Sequence, residues 1–142
     1  DNKLSAFEMG PNSNLRTYEG GCHCGTVRFR VQVNPEQVQV EDCNCSICRK
    51  KGFLHLIVPP DRFTLLSGTD ALTTYTFNTG IAKHLFCSRC GIHAFYRPRS
   101  HPDMFDVNLR CLDGDVMAQF RIVPFDGVHW EENVEKIPPK GE

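Results

Sequence analysis

The chain has 142 residues, 40% of them hydrophobic and 23% charged, and 16 Lys+Arg against 17 Asp+Glu leave a formal net charge of −1. That length suits a single domain, and the composition argues against wholesale disorder. The balanced charge argues against a broad basic face for nucleic acid or anionic lipid.

Residues 1–16, DNKLSAFEMGPNSNLR, are polar around Gly10-Pro11 and read as a flexible arm. They hold no apolar stretch of signal-peptide length, and no apolar run long enough to span a membrane occurs elsewhere. A cytoplasmic protein with no membrane contact is the expectation. The domain itself is expected over 17–135. Within it, segment 26–33 (TVRFRVQV) alternates strictly, with Val27, Phe29, Val31 and Val33 on one face, which predicts a half-buried strand. Further β-like segments follow at 37–40, 54–58, 63–66, 73–77, 84–86, 94–96, 105–109 and 117–123. Turn residues separate them, among them Asn34-Pro35, Pro59-Pro60-Asp61, Asn78-Thr79-Gly80 and Asp113-Gly114. A short helix is expected over 127–135 around Trp130, and 136–142 reads as a tail. Many short strands without a long segment of helical period predict an all-β domain.

Eight cysteines are the outstanding feature. Cys22-His23-Cys24-Gly25 and Cys87-Ser88-Arg89-Cys90-Gly91 are chelating turns closed by glycine, and Cys43, Cys45 and Cys48 put three thiols in one short segment. Zinc favours four tetrahedral ligands with thiolate among the commonest. Cys22, Cys24, Cys87 and Cys90 supply four, which is a closed, structural-type site. Cys43, Cys45 and Cys48 supply three and leave one position open, the pattern of a catalytic zinc. Three other uses of the thiols stay open at this level. Four disulfides are disfavoured by the short spacings and a reducing compartment. An iron–sulfur cluster fits the common ferredoxin spacings poorly. Cys111 would close the second site, but an isolated cysteine in a β pattern is more often a small core residue, and it is not expected to bind metal.

Three thiolates around Zn²⁺ carry one net negative charge, which weakens the ion's activation of water and suits a soft incoming thiolate. Arg49, Lys50 and Lys51 follow Cys48 directly and are candidates to offset that charge and attract a substrate carboxylate. Asn44 and Ser46 are placed to hydrogen-bond sulfur or a bound adduct. Arg97 and Arg99 in YRPRS are candidate carboxylate anchors. His23 should face away from a metal gripped by both neighbours. His55, His84 and His93 lie in strand-like segments and read as structural histidines. Phe53 and Tyr96 read as core, with pocket lining the alternative.

The motifs GGCHCGTVRF, DCNCSICRKKG, TYTFNTG, HLFCSRCGIHAFYRPRS and VNLRCLDG resemble the family of glutathione-dependent formaldehyde-activating enzymes and centromere protein V, over residues 17–130. The resemblance implies an Mss4-like fold and two zinc ions per chain. It assigns the structural zinc to Cys22, Cys24, Cys87 and Cys90 and the catalytic zinc to Cys43, Cys45 and Cys48. It also implies a carbon–sulfur lyase that condenses formaldehyde with glutathione to S-(hydroxymethyl)glutathione, with a small thiol or thiol adduct as partner. The competing class is a non-enzymatic, zinc-stabilised binding module whose RKK and RPRS segments contact protein or nucleic acid.

Overall fold

A computed structural model describes residues 14–134. The expected tail 136–142 and all but the end of the expected arm 1–16 lie outside those residues, and Arg16 already begins a strand. The strict alternation of TVRFRVQV sets up β2 (Arg28–Val33), whose apolar side chains are buried while Arg30 and Gln32 face water. It is the centre of a three-stranded antiparallel sheet, between β1 (Arg16–Gly21) and β5 (Phe63–Ser67). Phe29 sits under that sheet, stacked on Phe63 with ring centroids 5.8 Å apart and edge-on to Phe95 at 6.3 Å. Phe63 in turn stacks on Phe105 at 4.3 Å, so the core is joined through aromatic rings.

A five-stranded sheet carries the rest of the core. β3 (Gln39–Cys43), β4 (Leu54–Val58), β8 (Phe95–Tyr96), β9 (Phe105–Asn108) and β10 (Arg121–Phe125) lie in the order β10-β3-β4-β9-β8. All its pairings are antiparallel except β10 with β3. β4 is central and all five of its residues are buried, as expected of a strand covered on both faces. A separate hairpin pairs β6 (Leu72–Tyr75) with β7 (His84–Cys87). The domain is all-β, and among the described residues helix is confined to α1 (Ser46–Lys51), α2 (Trp130–Asn133) and a few 3-10 turns. No helix among the described residues is long and apolar enough to cross a membrane.

Three segments depart from expectation, the first being β1, where no strand is expected. The cysteine triplet, a segment for which no helix is expected, runs into α1, for which Cys45 is the N-cap and Gly52, at φ 67°, the left-handed C-cap. The expected strand 117–123 divides into a 3-10 turn at Met117–Gln119 and β10, because Phe120 turns inward between them.

Candidate functional site

Two clusters of thiols form, and all eight cysteines are free. In the first, the turn after β1 brings Cys22 and Cys24 against Cys87 at the end of β7 and Cys90 in the turn that follows. Gly25 (φ 84°) and Gly91 (φ 79°) take left-handed conformations that let both turns close on the sulfurs. The four Sγ atoms all lie within 4.8 Å of one another. Cys22 and Cys24 are 3.6 Å apart and Cys24 and Cys87 are 3.8 Å apart. Zinc–sulfur bonds of ~2.3 Å in a tetrahedron give sulfur–sulfur edges of ~3.8 Å, so the donor set fits zinc as it stands. The Thr26 hydroxyl beside Cys24 lowers that thiol to about 6, whereas burial raises Cys22.

The second cluster is built on α1. Cys43 ends β3, Cys45 caps the helix and accepts the Cys48 N–H at 3.4 Å, and one turn of helix brings Cys48 to the same side. Hydrogen bonds from Cys43 and then Cys48 hold the Cys45 thiol down to about 2, while Cys43 is pushed up to about 11 and Cys48 is raised as well. Cys43 and Cys48 Sγ stand in a group that could hold a metal, and Cys45 is not part of that group although its sulfur caps the same helix.

His55 of β4 joins this cluster. Its Nε2 is 3.0 Å from Cys48 Sγ and its Nδ1 is 2.6 Å from Asp106 Oδ2 on β9. The Tyr96 hydroxyl lies 3.5 Å from the same Nδ1. Cys43 Sγ, Cys48 Sγ and a His55 ring nitrogen fall within 4.8 Å of one another. The reading of His55 as a structural histidine did not place it beside the cysteine loop. One signal was available: in LHLIV it is the single polar side chain of a fully buried strand, and a buried polar group needs a partner.

A cavity of about 490 Å³ opens over the loop, with Cys43, Cys45, Cys48 and His55 on its floor and Phe77, His84, Tyr96, Arg99 and Trp130 around it. Ser46 lines it. Asn44 instead holds the turn after β10: its Oδ1 accepts the Val128 N–H at 3.0 Å, and its Nδ2 donates to Asp126 at 3.3 Å. That turn carries Gly127 hard against Cys43, where a Cβ would collide with the sulfur. Of the basic run, Arg49 and Lys50 are exposed and outside the cavity wall. Lys51 packs its ammonium over Phe53 and Tyr96, 4.7 and 4.5 Å from the ring centroids, and approaches His84 Nδ1 at 3.2 Å. Burial lowers the Lys51 pKa. Arg97 lies over Phe105 at 4.0 Å, and Arg99 lies over Trp130 at 3.4 Å with its side chain in the cavity wall. Tyr96 stacks on His84 at 4.8 Å and lines the cavity, while Phe53 packs beneath it in the core. His93 packs on Phe86, and His23 is exposed; neither joins a thiol cluster. Cys111 Sγ lies 3.9 Å from the His93 carbonyl, outside both clusters.

Residues 17–125 match the family described as glutathione-dependent formaldehyde-activating enzyme. A Halomonas elongata protein whose name gives that activity as a provisional assignment is 33% identical over 106 residues, 69% of this chain and 67% of its own. A similarly named Penicillium rubens protein is 31% identical over 94 residues, 61% of this chain, and the match spans only 49% of the fungal protein. A crystal structure of a Rhodobacter sphaeroides protein, a structural-genomics target, superposes with a TM-score of 0.66 at 34% identity, over 75% of this chain and 97% of that one.

Proposed function

The chain belongs to the family of glutathione-dependent formaldehyde-activating enzymes, and from that premise we propose that it is a cytoplasmic, zinc-dependent carbon–sulfur lyase acting on a thiol–carbonyl adduct such as S-(hydroxymethyl)glutathione. The observation that carries this reading is the three-cysteine loop forming the floor of an open cavity, while the four-cysteine cluster stands apart from it. Cys22, Cys24, Cys87 and Cys90 hold the structural zinc. Cys43, Cys45 and Cys48 hold the catalytic one. When bound there, zinc keeps a substrate sulfur in its thiolate form at neutral pH.

The chain's own groups do the rest. The cavity volume lies within the range of about 300–1,000 Å³ usual for small-molecule sites, and aromatic side chains form part of its wall. Arg99 is aligned by Trp130 and forms no ion pair among the described residues, which leaves its guanidinium to hold a substrate carboxylate. Arg49 and Lys50, exposed beside the loop, contribute attraction at longer range. In the forward direction the thiol sulfur forms a bond to the carbonyl carbon and its proton ends on the carbonyl oxygen. The reverse breaks that carbon–sulfur bond.

Carbon-13 exchange spectroscopy on labelled formaldehyde and glutathione tests the reading. The protein should speed interconversion of the free aldehyde hydrate and S-(hydroxymethyl)glutathione, and Cys45→Ser should abolish the effect. Exchange no faster than in buffer would leave a zinc-stabilised binding module as the account.

A further inference from the structure

His84 of β7 forms part of the cavity wall and lies flat against two other rings of that wall. Its centroid is 4.8 Å from that of Tyr96 at an interplanar angle of 14°, and 5.4 Å from that of Phe77 at 24°. One nitrogen of the imidazole is taken, since Lys51 Nζ lies 3.2 Å from Nδ1. An ammonium carries three donors and no acceptor, so Nδ1 accepts and the ring hydrogen sits on Nε2. The faces of Phe53 and Tyr96, with centroids 4.7 and 4.5 Å from Nζ, favour the charged lysine there. Nε2 has no hydrogen-bond partner among the described residues, and unlike His93 Nδ1 it is not sealed from solvent. It is a donor left open, on the side of the ring away from Lys51, in a wall shared with Cys45 and Cys48.

We infer that His84 is a further catalytic residue whose Nε2–H donates to the carbonyl oxygen of the substrate, with Lys51 as the positioning residue that fixes its tautomer. The inference rests on the reading that this cavity takes a thiol–carbonyl adduct. As the substrate sulfur adds to the carbonyl carbon, the carbon–sulfur bond forms and the C=O π pair moves onto oxygen. A fixed N–H aimed at that oxygen stabilises the charge as it develops and costs no reorganisation. The imidazole keeps its proton throughout. The proton released by the thiol passes to water, and water returns one to the oxygen, which becomes the hydroxyl of the adduct. Burial, with Lys51 nearby, holds His84 down to about 4, so the ring is neutral at neutral pH and Nδ1 stays free to accept. The stacked rings of Tyr96 and Phe77 restrict the imidazole, which keeps the donor aimed.

Nitrogen-15 NMR of the histidine-labelled protein at neutral pH reads the tautomer independently of any activity. The His84 ring, assigned by its absence in His84→Gln, should carry its proton on Nε2, and Lys51→Met should shift it toward a mixture of tautomers. A proton on Nδ1 in the parent, or a ring unmoved in Lys51→Met, overturns the inference. The formaldehyde–glutathione exchange reads the chemistry. His84→Phe keeps a flat ring in the stack but no donor, and kcat should fall about 100- to 1,000-fold with KM much less affected. His84→Gln, which keeps an N–H donor, should retain more of the rate than His84→Phe. If the parent speeds exchange and His84→Phe does so equally, the inference falls and the reading of the cavity stands. A parent no faster than buffer removes both.

Discussion

Gly127 is the residue whose size the cysteine loop cannot tolerate changing. A Cβ there would collide with Cys43 Sγ and stand 3.0 Å from Cys45 Cβ. Gly127→Ala is therefore expected to remove about one equivalent of zinc while the four-cysteine site keeps its own, as read by metal analysis of the purified variant; an unchanged zinc content would contradict the packing described. His84 makes a different kind of demand. Burial, with Lys51 nearby, lowers it from 6.5 to about 4. Between those values the unfolded chain binds a proton that the folded chain does not, so stability rises with pH across the window and is lost as pH falls from 6.5 toward 4. Acid also displaces metal, so the comparison is between parent and His84→Gln. The variant's melting temperature should fall less steeply over that window, and equal slopes would refute the burial account.

At the scale of the element, what was legible followed from pattern length. The five apolar-rich residues of 54–58 form β4 with the expected bounds, and the alternation at 26–33 gives β2. β1 escaped notice because RTYEGG buries only Tyr18 and Gly20, too few for a visible alternation. α1 escaped because its six residues are too short to display a helical period. The thiols could be read from spacing alone. The pairing of His55 with Asp106 could not, since 51 residues separate them and only the β4–β9 register brings them together. The aromatic joint between the sheets gives a prediction at this scale. Phe29 is fully buried between Phe63 and Phe95, so Phe29→Ala should cost about 3–5 kcal/mol in denaturant unfolding, with the zinc content of the folded fraction retained. A loss below about 1 kcal/mol would mean that the ring does not join the sheets.

For the molecule as a whole, the proposed function divides the labour of the two clusters between architecture and chemistry. Cys22 and Cys24 leave the three-stranded sheet and Cys87 ends the separate hairpin, so a metal held between them would fasten segments whose cysteines lie 63 residues apart. Metal binding there is folding free energy. Cys87→Ser should unfold or aggregate the protein, while Cys45→Ser keeps most of the circular dichroism signal; equal loss in both would remove the division. The loop, the cavity and the Arg99 wall make the other half of the account, whose central claim is that a small thiol enters the cavity and meets the loop's metal. Titration of the cobalt-substituted protein with glutathione, followed through the sulfur-to-cobalt charge-transfer band, tests that claim most directly. The account predicts a saturable change in the band that weakens in Arg99→Ala, weakens further with salt and is absent in Cys45→Ser. A band unmoved by glutathione, cysteine or their formaldehyde adducts would contradict it.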